Sequence, residues 1–192
     1  MDTPTVVSAV FKDLQAVSTT YPNERLPKEE QIRCALYMAM QSCFDVVCVE
    51  RGYGSIDDGN RAECDIWART GEEAQSWLEL KRCWSVKGWI NKPPEQLTYW
   101  NADLEKLATV GVQSDRYFLL VGFFDCDPVG KSVEDSSGVV ANIKRFHPNK
   151  LVYRDSVAFS WRQDDGISHA AAFVWHWTNG ESIQRMGSPD AD

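Results

Sequence analysis

Apolar positions in this chain follow two periods, and the changes between them mark the predicted elements. Residues 6–17 carry apolar side chains at helical spacing, and residues 95–110 do so again after Pro93 and Pro94. A further helix is predicted from about Pro27, because proline suits the first turn of a helix. Its apolar stripe contains Ile32, Ala35, Leu36, Ala39 and Met40. Three amphipathic helices are therefore expected.

A period of two, typical of half-buried strands, is found between these helices. Residues 61–68 and 76–84 alternate in this way, and residues 44–49 form another predicted strand. Residues 117–124 are almost continuously apolar, as a strand buried on both faces would be. The order from Pro27 is thus helix, three strands, helix, strand. It indicates an α/β (α+β) fold in which helices flank a central sheet.

Two strand-like stretches follow near the C-terminal end of the sequence. Residues 151–162 and 167–177 are separated by Gln163-Asp164-Asp165-Gly166, which is a favourable hairpin turn. Their apolar and aromatic side chains are expected to cover one side of the sheet. The region of about residues 139–180 is therefore predicted to be a C-terminal β-hairpin extension.

The size of the chain suits a single domain. It has 192 residues, of which 43% are hydrophobic, and this is enough for a sizeable core. We expect one domain over residues 1–192, with its core at about residues 27–125. No apolar run reaches the roughly 20 residues that span a bilayer. The six cysteines form no Cys-x-x-Cys pair. A cytoplasmic protein with reduced thiols and no membrane contact is expected.

The charge of the chain argues against broad capture of nucleic acid. The net charge is −8, whereas proteins that hold nucleic acid by electrostatics present basic surfaces. The stretch between Leu80 and Pro94 is different, because it contains basic residues, two tryptophans and no acid. Its candidate nucleic-acid-binding residues are Arg82, Lys87, Lys92, Trp84 and Trp89. A solvated loop explains this stretch equally well.

The candidate chemistry lies on the second and third predicted strands. Asp65 is followed by Glu79-Leu80-Lys81, and alternation places Glu79 and Lys81 on one face of their strand. Carboxylates suit Mg²⁺ or Mn²⁺, and a lysine beside them can hold water and offset phosphate charge. Two alternatives stay open. Glu79 and Lys81 form an exposed ion pair of little energetic value, or Glu63 is the ligand in place of Asp65.

These residues resemble the motif of the PD-(D/E)XK, or restriction-endonuclease-like, nuclease superfamily. The resemblance covers about residues 27–125. It implies a restriction-endonuclease-like mixed sheet in which Asp65, Glu79 and Lys81 match the two acids and the lysine. Glu30, or else Glu29, would be the acid supplied by the helix. Gln96 stands where the RecB-like branch has a Gln-x-x-x-Tyr motif, with Trp100 in place of the tyrosine and Tyr99 one position early.

The function implied by the resemblance is a nuclease dependent on Mg²⁺ or Mn²⁺ that hydrolyses DNA. Asp65, Glu79 and the Leu80 carbonyl would bind the metal, and Lys81 would position the attacking water. The alternative is a catalytically silent member of the fold that binds or inhibits a basic protein partner. A nuclease that needs a partner subunit for DNA capture, or that acts as a homodimer, also stays open.

Overall fold

The computed structural model describes residues 1–20, 27–53, 63–72, 74–85, 93–110, 113–130, 138–159 and 166–184. Regular structure there consists of four α-helices, six strands and one short 3-10 helix. The helices are α1 (Thr3–Thr20), α2 (Glu29–Met40), α3 (Pro93–Thr109) and α4 (Val139–Arg145), and the 3-10 helix is Pro148–Lys150. The strands are β1 (Val46–Gly52), β2 (Glu63–Thr70), β3 (Ala74–Ser85), β4 (Asp115–Phe124), β5 (Leu151–Ala158) and β6 (His169–Trp177).

The six strands form one open sheet in the order β1-β2-β3-β4-β6-β5. Every neighbouring pair is antiparallel except β3 and β4, which run parallel. A parallel pair needs a crossover connection, and α3 lies in the connection between β3 and β4. The predicted α/β class and the order helix, three strands, helix, strand are confirmed. The sheet is mixed and mostly antiparallel.

The two faces of the sheet have separate cores, and each face is covered by a pair of helices. Apolar side chains of α1 and α2 pack with Leu78 and Leu80 of β3 on one face. On the other face α3 and α4 pack against Phe118 of β4 and Trp175 of β6. Alternation along β3 places Glu79 and Lys81 on this second face, under α3. Glu79 and Lys81 therefore lie on the face that α3 covers.

The C-terminal hairpin is arranged differently from the expectation that it covers one side of the sheet. Strand β6 pairs with β4 over nine residues, from His169 to Trp177, so the hairpin extends the sheet edgewise. The physical reason is that β6 is nearly all apolar and buried on both faces, as a central strand is. Strand β5 also ends earlier than predicted, at Ala158, and the predicted turn at residues 163–165 lies outside the described residues. Helix α4 was not predicted.

Both outer strands of the sheet are irregular. In β1, Glu50 has a positive φ of 53°, a backbone conformation uncommon for residues other than glycine. In β5, the pairing with β6 shifts between Leu151 and Tyr153. Among the described helices, none is both long enough and apolar enough to cross a membrane.

Candidate functional site

Asp65 is attached to β3 through its side chain. The β2–β3 pairing extends from Thr70–Ala74 to Ile66–Leu78. One residue further along β2, Oδ2 of Asp65 accepts a hydrogen bond of 2.8 Å from the Leu80 backbone N–H. Because N–H and C=O of one strand residue point to the same side, the Leu80 carbonyl also faces β2. The Asp65 carboxylate and the Leu80 carbonyl oxygen are therefore close together between β2 and β3.

Glu79 is a deeply buried carboxyl group. Its exposed fraction is 2%, and the Tyr53 hydroxyl donates a hydrogen bond to Oε1. The Tyr53 ring is fixed by stacking on Trp77 at 5.3 Å. Burial, and then the charges of Asp103 and Asp65, raise the pKa of Glu79 to about 9. Within the described ranges no Lys or Arg forms an ion pair with Glu79, so this position favours either a proton or an added cation.

Lys81 has two acidic partners, one on α3 and one on α2. Its Nζ lies 3.1 Å from Oδ2 of Asp103 in α3 and 3.6 Å from Oε1 of Glu29 in α2. Burial acts to lower the pKa of Lys81, but the charges of Asp103 and Glu29 outweigh burial and raise it. Lys81 is therefore a fixed ammonium group on the same face as Glu79.

Arg33 of α2 connects Asp65 to a second carboxylate. Its Nη1 lies 3.1 Å from Oδ1 of Asp65 and 3.1 Å from Oε1 of Glu50. Both oxygens of Asp65 thus have donors, one from Arg33 and one from the Leu80 N–H. Glu50 is also the β1 residue that has a positive φ, so the second carboxylate bound by Arg33 comes from the irregular position of that strand.

The acid from α2 that reaches the site is Glu29. Besides its contact with Lys81, Glu29 accepts a hydrogen bond of 3.1 Å from the Arg82 backbone N–H. Glu30 is exposed, and the acids that pair with Lys81 in the described chain are Glu29 and Asp103. Glu63, the alternative to Asp65, is also exposed at the start of β2. The structure therefore brings Asp65, Glu79, Lys81 and Glu29 together.

Gln96 lies inside the protein beside this group. Its side chain is buried, and Asn142 of α4 donates a hydrogen bond to its Oε1 at 3.4 Å. Trp100, four residues further along α3, packs edge-on against Phe146 at 5.3 Å. The exposed fraction of Trp100 is only 3%, so its ring belongs to the core.

The candidate nucleic-acid-binding residues are only partly described. Arg82 donates a hydrogen bond of 2.7 Å to the Pro27 carbonyl, and its guanidinium lies 4.4 Å from the centre of the Trp84 ring. These contacts hold Arg82 and Trp84 together at the end of β3. Lys87, Trp89 and Lys92 lie outside the described residues.

Sequence reasoning did not select Asp103, Arg33 or Tyr53. A signal existed for Asp103, because it falls within the inward stripe of α3 that also contains Gln96, Trp100 and Leu107. A carboxylate in such a stripe needs a partner, and Asp103 has Lys81 at 3.1 Å and Lys106 at 2.7 Å. Arg33 and Tyr53 reach the site through tertiary packing, for which the sequence has no local pattern.

The oxygen atoms available to a cation are carboxylates and one carbonyl. Across the described ranges, no group of three or more His, Cys, Asp and Glu side chains is arranged to hold a metal ion. Asp65, Glu79 and the Leu80 carbonyl are nevertheless hard oxygen donors. Mg²⁺ typically takes one or two carboxylates and completes its coordination with water and substrate phosphate. The buried Glu79, which forms no ion pair with a lysine or arginine in that part of the chain, fits such an ion.

Comparison of the chain with protein-family models, with curated proteins and with solved structures finds no match. The function is therefore to be inferred from the geometry and charge of the site itself.

Proposed function

We propose that the protein is a divalent-metal-dependent nuclease that hydrolyses phosphodiester bonds of DNA. One observation carries the proposal: Asp65 and Glu79 meet on neighbouring strands with Lys81 beside them, and the buried Glu79 forms no ion pair with a lysine or arginine of the described chain. The element order and the parallel β3–β4 pair support a restriction-endonuclease-like sheet. Asp65, Glu79 and the Leu80 carbonyl would hold Mg²⁺ or Mn²⁺.

The bound cation and Lys81 would have different roles in the reaction. A bound divalent cation supplies charge compensation for the phosphate and lowers the pKa of a bound water. Lys81 is held by Asp103 and Glu29 with its ammonium on the same face as Glu79. In this position it holds the attacking water and offsets negative charge near the scissile phosphate.

Arg33 gives the site a way to exchange one positive partner for another. In the present structure it occupies Oδ1 of Asp65, the oxygen that does not bond to β3. Glu50 offers Arg33 a second carboxylate at 3.1 Å. Asp65 can therefore release Arg33 to bind a cation, and the guanidinium keeps an acidic partner.

The proposal is tested with the purified protein and DNA substrates. We expect cleavage of DNA in Mg²⁺ or Mn²⁺ and a loss of about 100-fold in rate for Lys81→Ala, the usual cost of losing one charge-stabilising group. Lys12→Ala is the matched control, because Lys12 is an exposed lysine on α1, over the opposite face of the sheet. If the wild type cuts neither single-stranded nor duplex DNA with either metal, the proposal is refuted.

A second candidate function is a catalytically silent protein that engages a basic partner. Ion pairs within the protein favour this candidate, because Lys81 and Asp65 already have oppositely charged partners in the structure. The net charge of −8 suits such a partner. Under this candidate, the wild type cuts no DNA and its melting temperature is indifferent to Mn²⁺.

A further inference from the structure

A groove of about 410 Å³ opens between β3 and one edge of α3, and its lining includes Lys81. Its described lining includes three cations and a single carboxylate, although the whole chain has a net charge of −8. The residues that define the groove are Lys81, Arg82, Gln96, Tyr99, Asp103 and Lys106. The side chains that line the groove therefore carry a net positive charge, and they include Lys81 of the candidate site.

Both lysines of the groove lining are held in place by one buried carboxylate, that of Asp103. Asp103 has an exposed fraction of 3%, and its two oxygens lie 3.1 Å from Nζ of Lys81 and 2.7 Å from Nζ of Lys106. Each ammonium has three donors, and a shared carboxylate cannot use them all. Lys106 therefore keeps N–H groups for an anion in the groove, such as a phosphate, and Lys81 keeps fewer because it also lies 3.6 Å from Glu29.

Tyr99 adds an aromatic surface to the same edge of the helix. Tyr99, Asp103 and Lys106 are spaced by four and three residues, which places them in one row along α3. The exposed fraction of Tyr99 is 63%, whereas that of the neighbouring Trp100 is 3%. The accessible ring is therefore Tyr99, and it stands at about one helical turn from the acid that holds both lysines.

We propose that this groove is a subsite for one unpaired nucleotide of a DNA strand, with the base stacked on Tyr99 and its phosphate at Lys106 and Lys81. The inference rests on the proposed function for its ligand, DNA. A volume of about 410 Å³ falls at the small end of ligand sites and suits one nucleotide better than a base pair. A base inside a duplex has both faces covered, so only an unpaired base can stack on the ring. The site thus prefers single-stranded DNA or a frayed end.

Binding of labelled oligonucleotides tests the subsite without catalysis. Fluorescence anisotropy in EDTA, with a 12-nucleotide single strand and its duplex, should show tighter binding of the single strand. Tyr99→Ala should weaken single-strand binding about tenfold, and Tyr99→Phe should retain it, because stacking needs the ring and not the hydroxyl. Met38→Ala is the control, since Met38 is 65% exposed on α2.

Lys106→Gln examines the phosphate contact independently. It should weaken binding to all sequences and reduce the slope of log K against log salt by about 0.7, the contribution of one contact in a single strand. Equal affinity of the wild type for single strand and duplex overturns the subsite, as does unchanged binding in Tyr99→Ala. The test is separate from the proposed function, because absent cleavage in Mg²⁺ refutes the nuclease while the EDTA measurement still decides the subsite.

Discussion

Two buried carboxylates on the same side of the sheet differ in their partners. Asp103 lies between Lys81 and Lys106, whereas Glu79 receives one hydrogen bond from the neutral Tyr53 hydroxyl. Burial of a charged group is costly unless a countercharge accompanies it. Ionisation of Glu79 therefore carries an electrostatic cost, and this cost has a measurable pH dependence.

Glu79→Gln is expected to remove a pH dependence of stability. The folded-state pKa of Glu79 is raised to about 9, and that of an unfolded glutamate is about 4.3. Between these values the folded protein binds the extra proton. The stability contributed by protonated Glu79 is thus complete below about 4.3 and is lost as pH rises towards 9, by at most about 1.4 kcal/mol per pH unit.

Urea denaturation in EDTA between pH 5 and 9 measures this effect. The free energy of unfolding of the wild type should fall more steeply with pH than that of Glu79→Gln, which has no carboxyl group to titrate. Parallel curves for the two proteins would show that Glu79 ionises normally in the folded state.

At the scale of elements, periodicity predicted most of the sheet and three of the four described helices. It could not choose between Glu29 and Glu30, because neighbouring residues on a helix differ by about 100° in direction. Nor could it separate Asp65 from Glu63, which share a face by alternation. That choice depends on where the backbone pairing of β2 with β3 ends and the Asp65 side chain bonds to the Leu80 N–H instead. This is a tertiary feature.

Strand β4 contains a glycine, Gly122, at a position where the surrounding side chains leave no room for a Cβ. A Cβ on Gly122 would lie 2.5 Å from Cε2 of Phe124 and 2.7 Å from Sγ of Cys83. Both neighbours are buried, so a methyl group can be accommodated only by displacing the core between β3 and β4. Gly122→Ala is therefore expected to lower the free energy of unfolding by about 1–3 kcal/mol.

Gly52→Ala is the matched control for this substitution. Gly52 ends β1, and a Cβ there would have no atom within 4 Å. We expect its free energy of unfolding to change by no more than about 0.5 kcal/mol, the range of neutral surface substitutions. Similar losses in both variants would mean that strand glycines are sensitive for a reason other than crowding.

At the scale of the whole molecule, the net charge of the chain and the charge of the groove lining have opposite signs. The chain has a net charge of −8, yet the groove beside β3 and α3 is positive in its described lining. A net negative protein slows the approach of DNA, and a local positive groove can still hold one strand once it arrives. For the proposed nuclease, this arrangement would reduce non-specific attachment to duplex DNA.

Metal binding at the site should stabilise the whole fold. Mn²⁺ that binds only the folded protein adds about 2.7 kcal/mol at 100 times its Kd, so the melting temperature should rise with its concentration. Glu79→Gln should lose most of this rise, and Lys12→Ala should keep it. An unchanged wild-type melting temperature over millimolar Mn²⁺ would favour the silent protein that engages a basic partner.

An open sheet has two outer strands whose free N–H and C=O groups can recruit further strands from other chains. Here Glu50 of β1 has a positive φ, and the pairing of β5 with β6 shifts between Leu151 and Tyr153. Such irregularities twist an edge and break the regular spacing that a docking strand requires. The same Glu50 that gives Arg33 its second partner therefore also helps to protect the sheet against edge-to-edge aggregation.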